Sequence, residues 1–220
     1  LIRIFQYLEK FIYRASEKVT VLSDGMKTDL LKKGVQENKI VLIPNWADVE
    51  HIQPVSKNNG FRAAHGLNGH FVVMFAGNLG FNAVLDTVLD AAKLLEHENG
   101  TRFLIVGEGN AKKALLERAQ ALSLSNVDFL PTQAKETLPD MLGAADLSLV
   151  TLNRHLGLLN VPSKTYSIMA SARPVVAAVP ENSEIASLVK QAKCGVWVPP
   201  EDPQALADAI QRLSHQPELL

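Results

Sequence analysis

Apolar residues in the second two-thirds of the chain follow two alternating spacings. Short, nearly continuous apolar runs occur at residues 70–76, 102–106, 126–130, 146–150, 174–178 and 195–198. In the segments that follow them, apolar residues recur every three or four positions, at 83–97, 110–122, 134–144, from about 163, 182–192 and 203–214. The first spacing predicts buried strands and the second predicts helices. Strands that are apolar on both faces and alternate with helices predict an α/β fold with a doubly wound, Rossmann-like parallel sheet.

The first 60 residues follow a less regular pattern. Their spacing predicts four elements, namely helix 1–15, strand 19–23, helix 24–33 and strand 39–43. We expect Asp24 to cap its helix and Gly34 to end it. Residues 45–60 show no period and contain Pro54 and Gly60, which is typical of a linker. The predicted organisation is therefore an N-terminal piece, a linker and a Rossmann-like domain, at 1–44, 45–60 and 61–220.

Composition and charge exclude several classes of protein. The chain has 220 residues, 47% of them hydrophobic, which suffices for one or two domains with a sizeable core. A net charge of −1 without a basic block argues against a nucleic-acid partner. Cys194 is the only cysteine, which excludes an internal disulfide and a cysteine metal cluster. Charged residues interrupt the apolar N-terminus, unlike a signal peptide, so we expect a cytoplasmic location. Because the chain starts at Leu1, we expect a fragment of a longer protein.

The segment 161–177 predicts a loop, a helix and a buried strand, and it carries the strongest chemical signal. Pro162 precedes the helix, Ser163 is the predicted N-cap, and Lys164 lies in the first turn. A cation in a first turn opposes the helix dipole unless an anion binds there. Free backbone N–H groups, a hydroxyl and an ammonium together form a phosphate site. The alternative is an ordinary capped helix with a solvated lysine.

Other loops at the carboxyl edge of the predicted sheet offer further candidates. Gly77-Asn78-Leu79-Gly80 follows the first strand, where glycines allow a ligand to approach the backbone closely. This loop is not a Gly-x-Gly-x-x-Gly fingerprint, and no acidic residue ends the next strand, so a nicotinamide cofactor is not expected. We interpret Gly107-Glu108-Gly109 as a turn. Leu130 and Pro131 can hold a flat base through apolar and backbone contacts, or they are a core leucine and a turn proline.

Together these motifs resemble the donor half of retaining glycosyltransferases of the GT-B fold (family 4, group 1), in particular the branch of colanic-acid and O-antigen biosynthesis. The matching motifs occur in family order: 41–45, 75–80, 105–109, 138–139, 144–146, the Pro-Ser-Lys motif at 162–164, 169–176, 194–195 and 202–206. The resemblance implies that 61–220 bind the donor and that 1–44 are the end of an acceptor-side domain. Since family members are about twice this length, it also implies that the isolated fragment is inactive.

The resemblance also implies a mechanism and residue roles. A sugar is transferred with retention from a UDP- or GDP-linked donor to a saccharide or lipid-linked acceptor in surface-polysaccharide synthesis. Cations and helix dipoles, rather than a metal or a cofactor, stabilise the leaving diphosphate. The implied catalytic residues are Lys164 and Asn78. The implied binding residues are Gly77, Asn78, Gly80, Leu130, Pro131, Ser163, Lys164 and Ser167.

Several positions depart from the family pattern. Asn78 and Ala83 stand where many members carry a diphosphate-binding Arg and Lys, and Leu159 and Ser167 stand where many carry two glutamates. The second glutamate usually receives the ribose hydroxyls, and Ser167 would replace it with one hydrogen bond, an anchor weaker by about 1–2 kcal/mol. Arg154 and His155 either supply compensating charge or form a solvated loop. These departures leave open a binding module without catalysis, and a GT-B sugar-nucleotide 2-epimerase is a third hypothesis.

The first 15 residues predict a basic, aromatic, amphipathic helix. Ile4, Phe5, Leu8, Phe11 and Ile12 share helical spacing, with basic residues among them. Such a helix either lies on a membrane surface, here the inner face of the plasma membrane, or packs at the edge of a domain. Apolar surface that a missing domain leaves exposed can also drive formation of a homodimer.

Overall fold

The computed structural model describes residues 2–98, 100–157 and 160–216. Its strands are β1 (Val19–Val21), β2 (Ile40–Leu42), β3 (Phe71–Ala76), β4 (Thr101–Val106), β5 (Val127–Leu130), β6 (Leu147–Thr151), β7 (Val175–Ala178) and β8 (Gly195–Val198). Its helices are α1 (Ile2–Ala15), α2 (Asp24–Lys32), α3 (Gly60–Ala64), α4 (Asp86–Leu94), α5 (Lys112–Ala121), α6 (Leu138–Gly143), α7 (Lys164–Ala170), α8 (Glu184–Ala192) and α9 (Pro203–His215). No helix in these ranges has both the length and the hydropathy to cross a bilayer.

Strands β3 to β8 form one parallel sheet in the order β5-β4-β3-β6-β7-β8. This is the order of a doubly wound Rossmann-type sheet, so the predicted fold class is confirmed. The strand order reverses between β3 and β6. Ligands of such sheets bind in the crevice at the carboxyl ends of the strands on either side of this point.

Both faces of the sheet are covered, which explains the continuous apolar runs. Along β3, Val73 and Phe75 point into a core formed with α4, α5 and α9, whereas Val72 and Met74 point into a core formed with α3, α6, α7 and α8. All four side chains are at most 1% exposed. Alternate residues of one strand therefore fill two separate cores, as the period of two in a strand requires.

Several predicted helix boundaries were wrong at the N-terminal end. Helix α2 is capped by Ser23, whose side chain accepts a hydrogen bond from the Met26 N–H at 3.2 Å, so the prediction of Asp24 was one residue late. Ser23 has the extended backbone that an N-cap needs, and Asp24 is already helical. The predicted helix 83–97 begins at Asp86, because a 3-10 turn and a left-handed Val84 precede it.

Residues 45–60 are mostly irregular, as predicted, but they are fixed to the large sheet. Ile52 is buried, and the Arg173 guanidinium donates to the carbonyls of Val55 and Gly143 at 2.7 and 2.9 Å. The Lys57 Nζ lies 2.7 Å from an Asp146 carboxylate oxygen. Single contacts at irregular intervals produce no hydrophobic period, which is why the sequence could not distinguish this segment from a loose tether.

A buried ion pair holds the amino ends of β3 and β6, opposite the crevice. Arg62 and Asp146 are both nearly inaccessible and form a salt bridge. Asp146 also accepts from the Val72 N–H at 2.8 Å, and the Arg62 Nε donates to the Ala144 carbonyl at 2.7 Å. The charges are thus paired and hydrogen-bonded, as burial demands.

The N-terminal residues form a small unit of their own. Strands β1 and β2 pair in parallel, and Val21, Leu30 and Val35 form a third apolar cluster. Helix α1 contains no buried residue. Leu22 and Met26 pack against the second core of the large sheet, which joins the two units.

Candidate functional site

The central feature of the crevice is the side chain of Lys164, at the point where the strand order reverses. It enters from the start of α7, after β6, and its Nζ lies 3.4 Å from the centroid of the Phe75 ring on β3. A Cβ placed on Gly77 would lie 3.6 Å from this Nζ. The first residue of the loop after β3 is thus in close contact with the ammonium. The structure brings together Gly77 and Lys164, which the sequence placed at the same edge.

The Lys164 ammonium has no counter-ion among the described residues. Burial lowers the pKa of Lys164 from 10.5 to about 7. Within the described ranges, no carboxylate lies within 4.0 Å of the Lys164 Nζ and no acceptor is hydrogen-bonded to it, so its partner is the Phe75 ring. A desolvated cation without a counter-ion is unfavourable, and an anion bound beside it would restore the charged form.

Two cavities meet at Lys164, and they differ in chemistry. The first, which we call the apolar pocket, has a volume of about 450 Å³, and side chains such as Ile52, Val106, Met141 and Ile168 line it. The second, the polar pocket, has about 670 Å³ and is lined by Gly80, Asn82, Asn110, Thr151, Asn160 and Ser163, among others. Gly77, Asn78 and Lys164 line both. The crevice therefore suits an elongated ligand with an apolar end, a polar end and negative charge between them.

Ser163 lines the polar pocket and stands at the predicted position directly before α7, but its side chain does not cap the helix as expected. Its backbone is already helical (φ −61°, ψ −26°), and its side chain makes no capping hydrogen bond. Its carbonyl accepts from the Tyr166 N–H at 3.1 Å, and the Pro162 carbonyl accepts from the Thr165 N–H at 3.2 Å. The turn thus starts before Ser163, because a capping side chain needs an extended backbone.

The loops after β3 and β4 are in backbone contact, which makes Gly107 and Gly109 more than turn residues. A Cβ on Gly107, where φ is +145°, would lie 1.9 Å from the Gly77 carbonyl oxygen. A Cβ on Gly109 would lie 2.4 Å from the Leu79 carbonyl oxygen. The Leu79 N–H donates to the Glu108 carbonyl at 2.8 Å. These contacts fix the Gly77–Gly80 loop beside Lys164, and Gly107 and Glu108 also line the apolar pocket.

The loop after β5 reaches the apolar pocket later than the sequence suggested. Leu130 packs against the second core, and Thr132 and Gln133 line the pocket instead of Leu130 and Pro131. The Pro131 carbonyl accepts from the Gln133 side chain at 2.8 Å. The position of these two polar residues in the loop that follows β5 was the signal that could have identified them.

The remaining site residues divide between the two pockets. Ser167 follows Lys164 by one helical turn and lines the apolar pocket, whereas Ala83 presents an apolar methyl group to the polar pocket. Leu159 lies outside the described residues. Sequence reasoning missed Ser148, whose Oγ is buried on β6 without a hydrogen-bond partner in the described part of the chain and lines the apolar pocket. Its place in an apolar strand gave no signal of a polar role.

Arg154 and His155 do not line either pocket in the described parts of the chain. The Arg154 Nε donates to Glu201 at 2.6 Å, and the Arg154 N–H donates to the same carboxylate at 2.9 Å. This pairing lowers the pKa of Glu201. The Arg154 guanidinium therefore pairs with a carboxylate that follows β8, rather than supplying charge beside Lys164. Residues 2–98, 100–157 and 160–216 contain no cluster of three side chains with metal-ligand chemistry.

The fold and the crevice define an α/β protein with a candidate ligand site at the switch point of its parallel sheet. The chain belongs to the family Glycosyl transferases group 1, whose family model matches residues 70–216. It is 31% identical over 216 residues to WbjE of Pseudomonas aeruginosa, named as a glycosyltransferase, with 96% of this chain and 53% of WbjE covered. It is 28% identical over 200 residues to WcaI of Escherichia coli, named for colanic acid biosynthesis, with 89% and 49% covered.

Solved structures show the same fold. Anabaena HepE in complex with UDP and glucose superimposes with a TM-score of 0.81 at 21% identity, over 94% of this chain and 56% of HepE. WaaG, a glycosyltransferase involved in lipopolysaccharide biosynthesis, gives a TM-score of 0.77 at 19% identity, over 92% of this chain and 55% of WaaG. The fold is therefore that of the C-terminal domain of GT-B proteins, with a two-stranded sheet at the N-terminus. The chain spans about half the length of the relatives it matches.

Proposed function

We propose that this chain binds a nucleotide-diphosphate sugar and forms the donor half of a retaining glycosyltransferase of surface-polysaccharide biosynthesis. The observation that carries the proposal is the Lys164 ammonium, which has no counter-ion in the part of the chain that the structure describes and lies where an apolar and a polar pocket meet. A nucleotide sugar has a flat base, an anionic diphosphate and a polyhydroxylated ring in that order. The complexes of HepE with UDP-glucose and with UDP support the same ligand class.

In this proposal each part of the donor has its own surroundings. The base and pentose occupy the apolar pocket, near Thr132, Gln133 and the preceding residues Leu130 and Pro131. The diphosphate lies at Lys164, where the absence of a side chain at Gly77 allows close approach. The sugar occupies the polar pocket, bordered by Asn78, Gly80 and Ser163 together with the amides of Asn82, Asn110 and Asn160.

The proposed catalytic role of Lys164 follows from charge development. When the bond between the anomeric carbon and the diphosphate oxygen breaks, negative charge grows on the leaving diphosphate. An ammonium already positioned in a desolvated site stabilises that charge without reorganising, which is the basis of electrostatic catalysis. Asn78 borders both pockets at the same point and is the second proposed catalytic residue. The acceptor, a saccharide or a lipid-linked sugar, would approach from the side of the polar pocket.

A binding module without catalysis is the second candidate function. It is favoured by the neutral residues Asn78, Ala83 and Ser167 at positions where a charged group would hold the donor more strongly. The two candidates differ in turnover by the full-length enzyme, whereas both require donor binding by this chain.

Calorimetric titration with UDP, GDP and ADP tests the proposal. We expect one nucleotide to bind with a Kd between micromolar and low millimolar, and Lys164→Ala to weaken it at least tenfold, because a charged hydrogen bond contributes about 1.5–3 kcal/mol. Lys113→Ala is the matched control, since Lys113 is 90% exposed on α5. Absence of binding by all three nucleotides, or equal binding by Lys164→Ala, would contradict the proposal.

We also propose a peripheral contact between α1 and an anionic membrane surface on the cytoplasmic side. Ile4, Phe5, Leu8, Phe11 and Ile12 are each at least half exposed on α1. The helix also carries basic residues at positions 3, 10 and 14. Apolar side chains beside basic groups complement both the interior and the surface charge of such a membrane.

A further inference from the structure

The wall of the apolar pocket next to Lys164 would determine how the pentose of the donor is recognised. In a nucleoside diphosphate the pentose lies between the base and the phosphates. With the phosphates at Lys164 and the base in the apolar pocket, the pentose hydroxyls come to the next turn of α7. Ser167, three residues after Lys164, is the residue of that turn that lines the pocket with a polar side chain.

A ribose 2′-hydroxyl is usually recognised by a carboxylate, which accepts its hydrogen bond. Among the described residues that line the apolar pocket, Glu108 carries the one carboxylate. The Lys112 Nζ lies 2.6 Å from it, and the Glu108 side chain is 57% exposed. The other polar lining groups, apart from Lys164, are uncharged amides and hydroxyls. The described lining of the pocket therefore contains no buried carboxylate that a ribose diol could engage.

The polar groups that line this part of the apolar pocket determine how strongly the site prefers ribose to deoxyribose. A site that buries a polar group for a substrate hydroxyl rejects the analogue without that hydroxyl by a factor of about 10⁴–10⁵, since its own polar group is then left unpaired. A single partly exposed hydroxyl, such as that of Ser167, can turn to another partner. Loss of its one neutral hydrogen bond changes affinity by less than about tenfold.

We infer that this site does not select for the 2′-hydroxyl and accepts 2′-deoxynucleoside diphosphates, those of thymidine included, nearly as well as ribonucleoside diphosphates. This inference rests on the proposed function. It extends the donor class beyond UDP- and GDP-sugars to sugars carried on a deoxynucleotide. The C5 methyl of thymine adds apolar surface that suits the lining of this pocket.

Calorimetry with matched pairs tests the inference: UDP and dUDP, GDP and dGDP, ADP and dADP, with dTDP in addition. For the base that binds, we expect the ribo and deoxy forms to differ by less than tenfold in Kd. A difference of tenfold or more in favour of the ribonucleotide overturns the inference and leaves the proposed function intact. Failure of every nucleotide to bind overturns both.

Substitutions at Ser167 test whether this residue lies beside the pentose. Ser167→Glu introduces a carboxylate that can accept a hydrogen bond from the 2′-hydroxyl, and we expect it to increase the preference for the ribonucleotide at least fivefold. Ser187→Glu adds the same charge on the exposed surface of α8 and should leave the ratio of the Kd values of the deoxy and ribo forms unchanged. If Ser167→Glu leaves the ratio of the Kd values of the deoxy and ribo forms unchanged, Ser167 does not lie beside the pentose and the assignment is overturned. A change of at least fivefold in the same ratio in Glu108→Gln also overturns it.

Discussion

Lys164 weakens the folded state in which it is held. Its pKa of about 7 lies below its ordinary value of 10.5, because burial disfavours the charged form. Between these values the unfolded chain binds more protons than the folded chain, so this residue makes the free energy of unfolding rise with pH in that window. Below pH 7 Lys164 is charged in both the folded and the unfolded chain, so the full free-energy cost of burying the charge reduces stability. A residue that reduces stability in an otherwise consistent core is expected at a functional site.

We therefore expect Lys164→Met to stabilise the chain while removing donor binding. At pH 6 the free energy of unfolding should increase by about 1–3 kcal/mol, the penalty for a buried polar group without a partner. The gain should diminish as the pH rises through 7 towards 10. Urea denaturation at several pH values measures it, and Lys113→Met should change stability by less than about 0.5 kcal/mol. A loss of stability in Lys164→Met at pH 6 would show that the ammonium is already paired in the folded chain.

Gly107 has a different role, in backbone geometry. We expect Gly107→Ala to reduce the free energy of unfolding by at least about 3 kcal/mol, since its Cβ would lie 1.9 Å from a backbone oxygen that cannot move independently. Gly60→Ala is the control, because that position has no atom within 4 Å of an added Cβ and lies in a helix. It should be neutral or slightly stabilising. Equal effects of the two substitutions in thermal denaturation would disprove the close approach of the loops.

At the scale of elements, the ion pair between Arg62 and Asp146 joins α3 to the amino end of β6. We expect Asp146→Ala to reduce the free energy of unfolding by about 3–5 kcal/mol, because it leaves the Arg62 guanidinium buried and unpaired. Asp128→Ala breaks the pair with Arg102, which is about one-third exposed, and should have an effect below about 1 kcal/mol. Chemical denaturation compares the two. Similar values would mean that water reaches Arg62.

The elements also show how much of the structure the sequence could predict. Strands β3 to β8 were predicted to within about two residues, because a strand that is buried on both faces is apolar at nearly every position. The cap of α2 at Ser23 and the missing side-chain cap at Ser163 could not be predicted, since capping depends on the backbone conformation of one residue. The contacts of Lys57 and Arg62 with Asp146 connect residues more than 80 positions apart and leave no local pattern.

The candidate site was predictable in part for the same reason. Gly77 and Lys164 follow two strands of one parallel sheet, so their proximity follows from the fold class alone. Side-chain packing across several elements determines that the ammonium is buried over Phe75 and that Arg154 pairs with Glu201. It also leaves the Ser148 Oγ without a hydrogen-bond partner among the described residues. Sequence patterns contain no information on such packing.

At the scale of the whole molecule, the exposed face of α1 contrasts with the well-packed large sheet. We expect the chain to sediment with vesicles that contain phosphatidylglycerol, and to be released when the salt concentration is raised, because part of the attraction is between charges. Phe5→Glu combined with Phe11→Glu should abolish sedimentation, whereas the same vesicles made of phosphatidylcholine should bind weakly. Salt-independent binding to both lipids, or a dimer in light scattering with no vesicle binding, would contradict the membrane contact.

Lys164 is the residue that we propose binds the diphosphate of the donor. The most direct test compares the affinities of the best-bound nucleoside diphosphate and its nucleoside, for the wild-type chain and for Lys164→Met. We predict that the diphosphate group increases affinity at least tenfold in the wild-type chain, and that this difference disappears in Lys164→Met while nucleoside binding is retained. A Lys164→Met variant that still binds the diphosphate at least tenfold more tightly than the nucleoside would contradict the account.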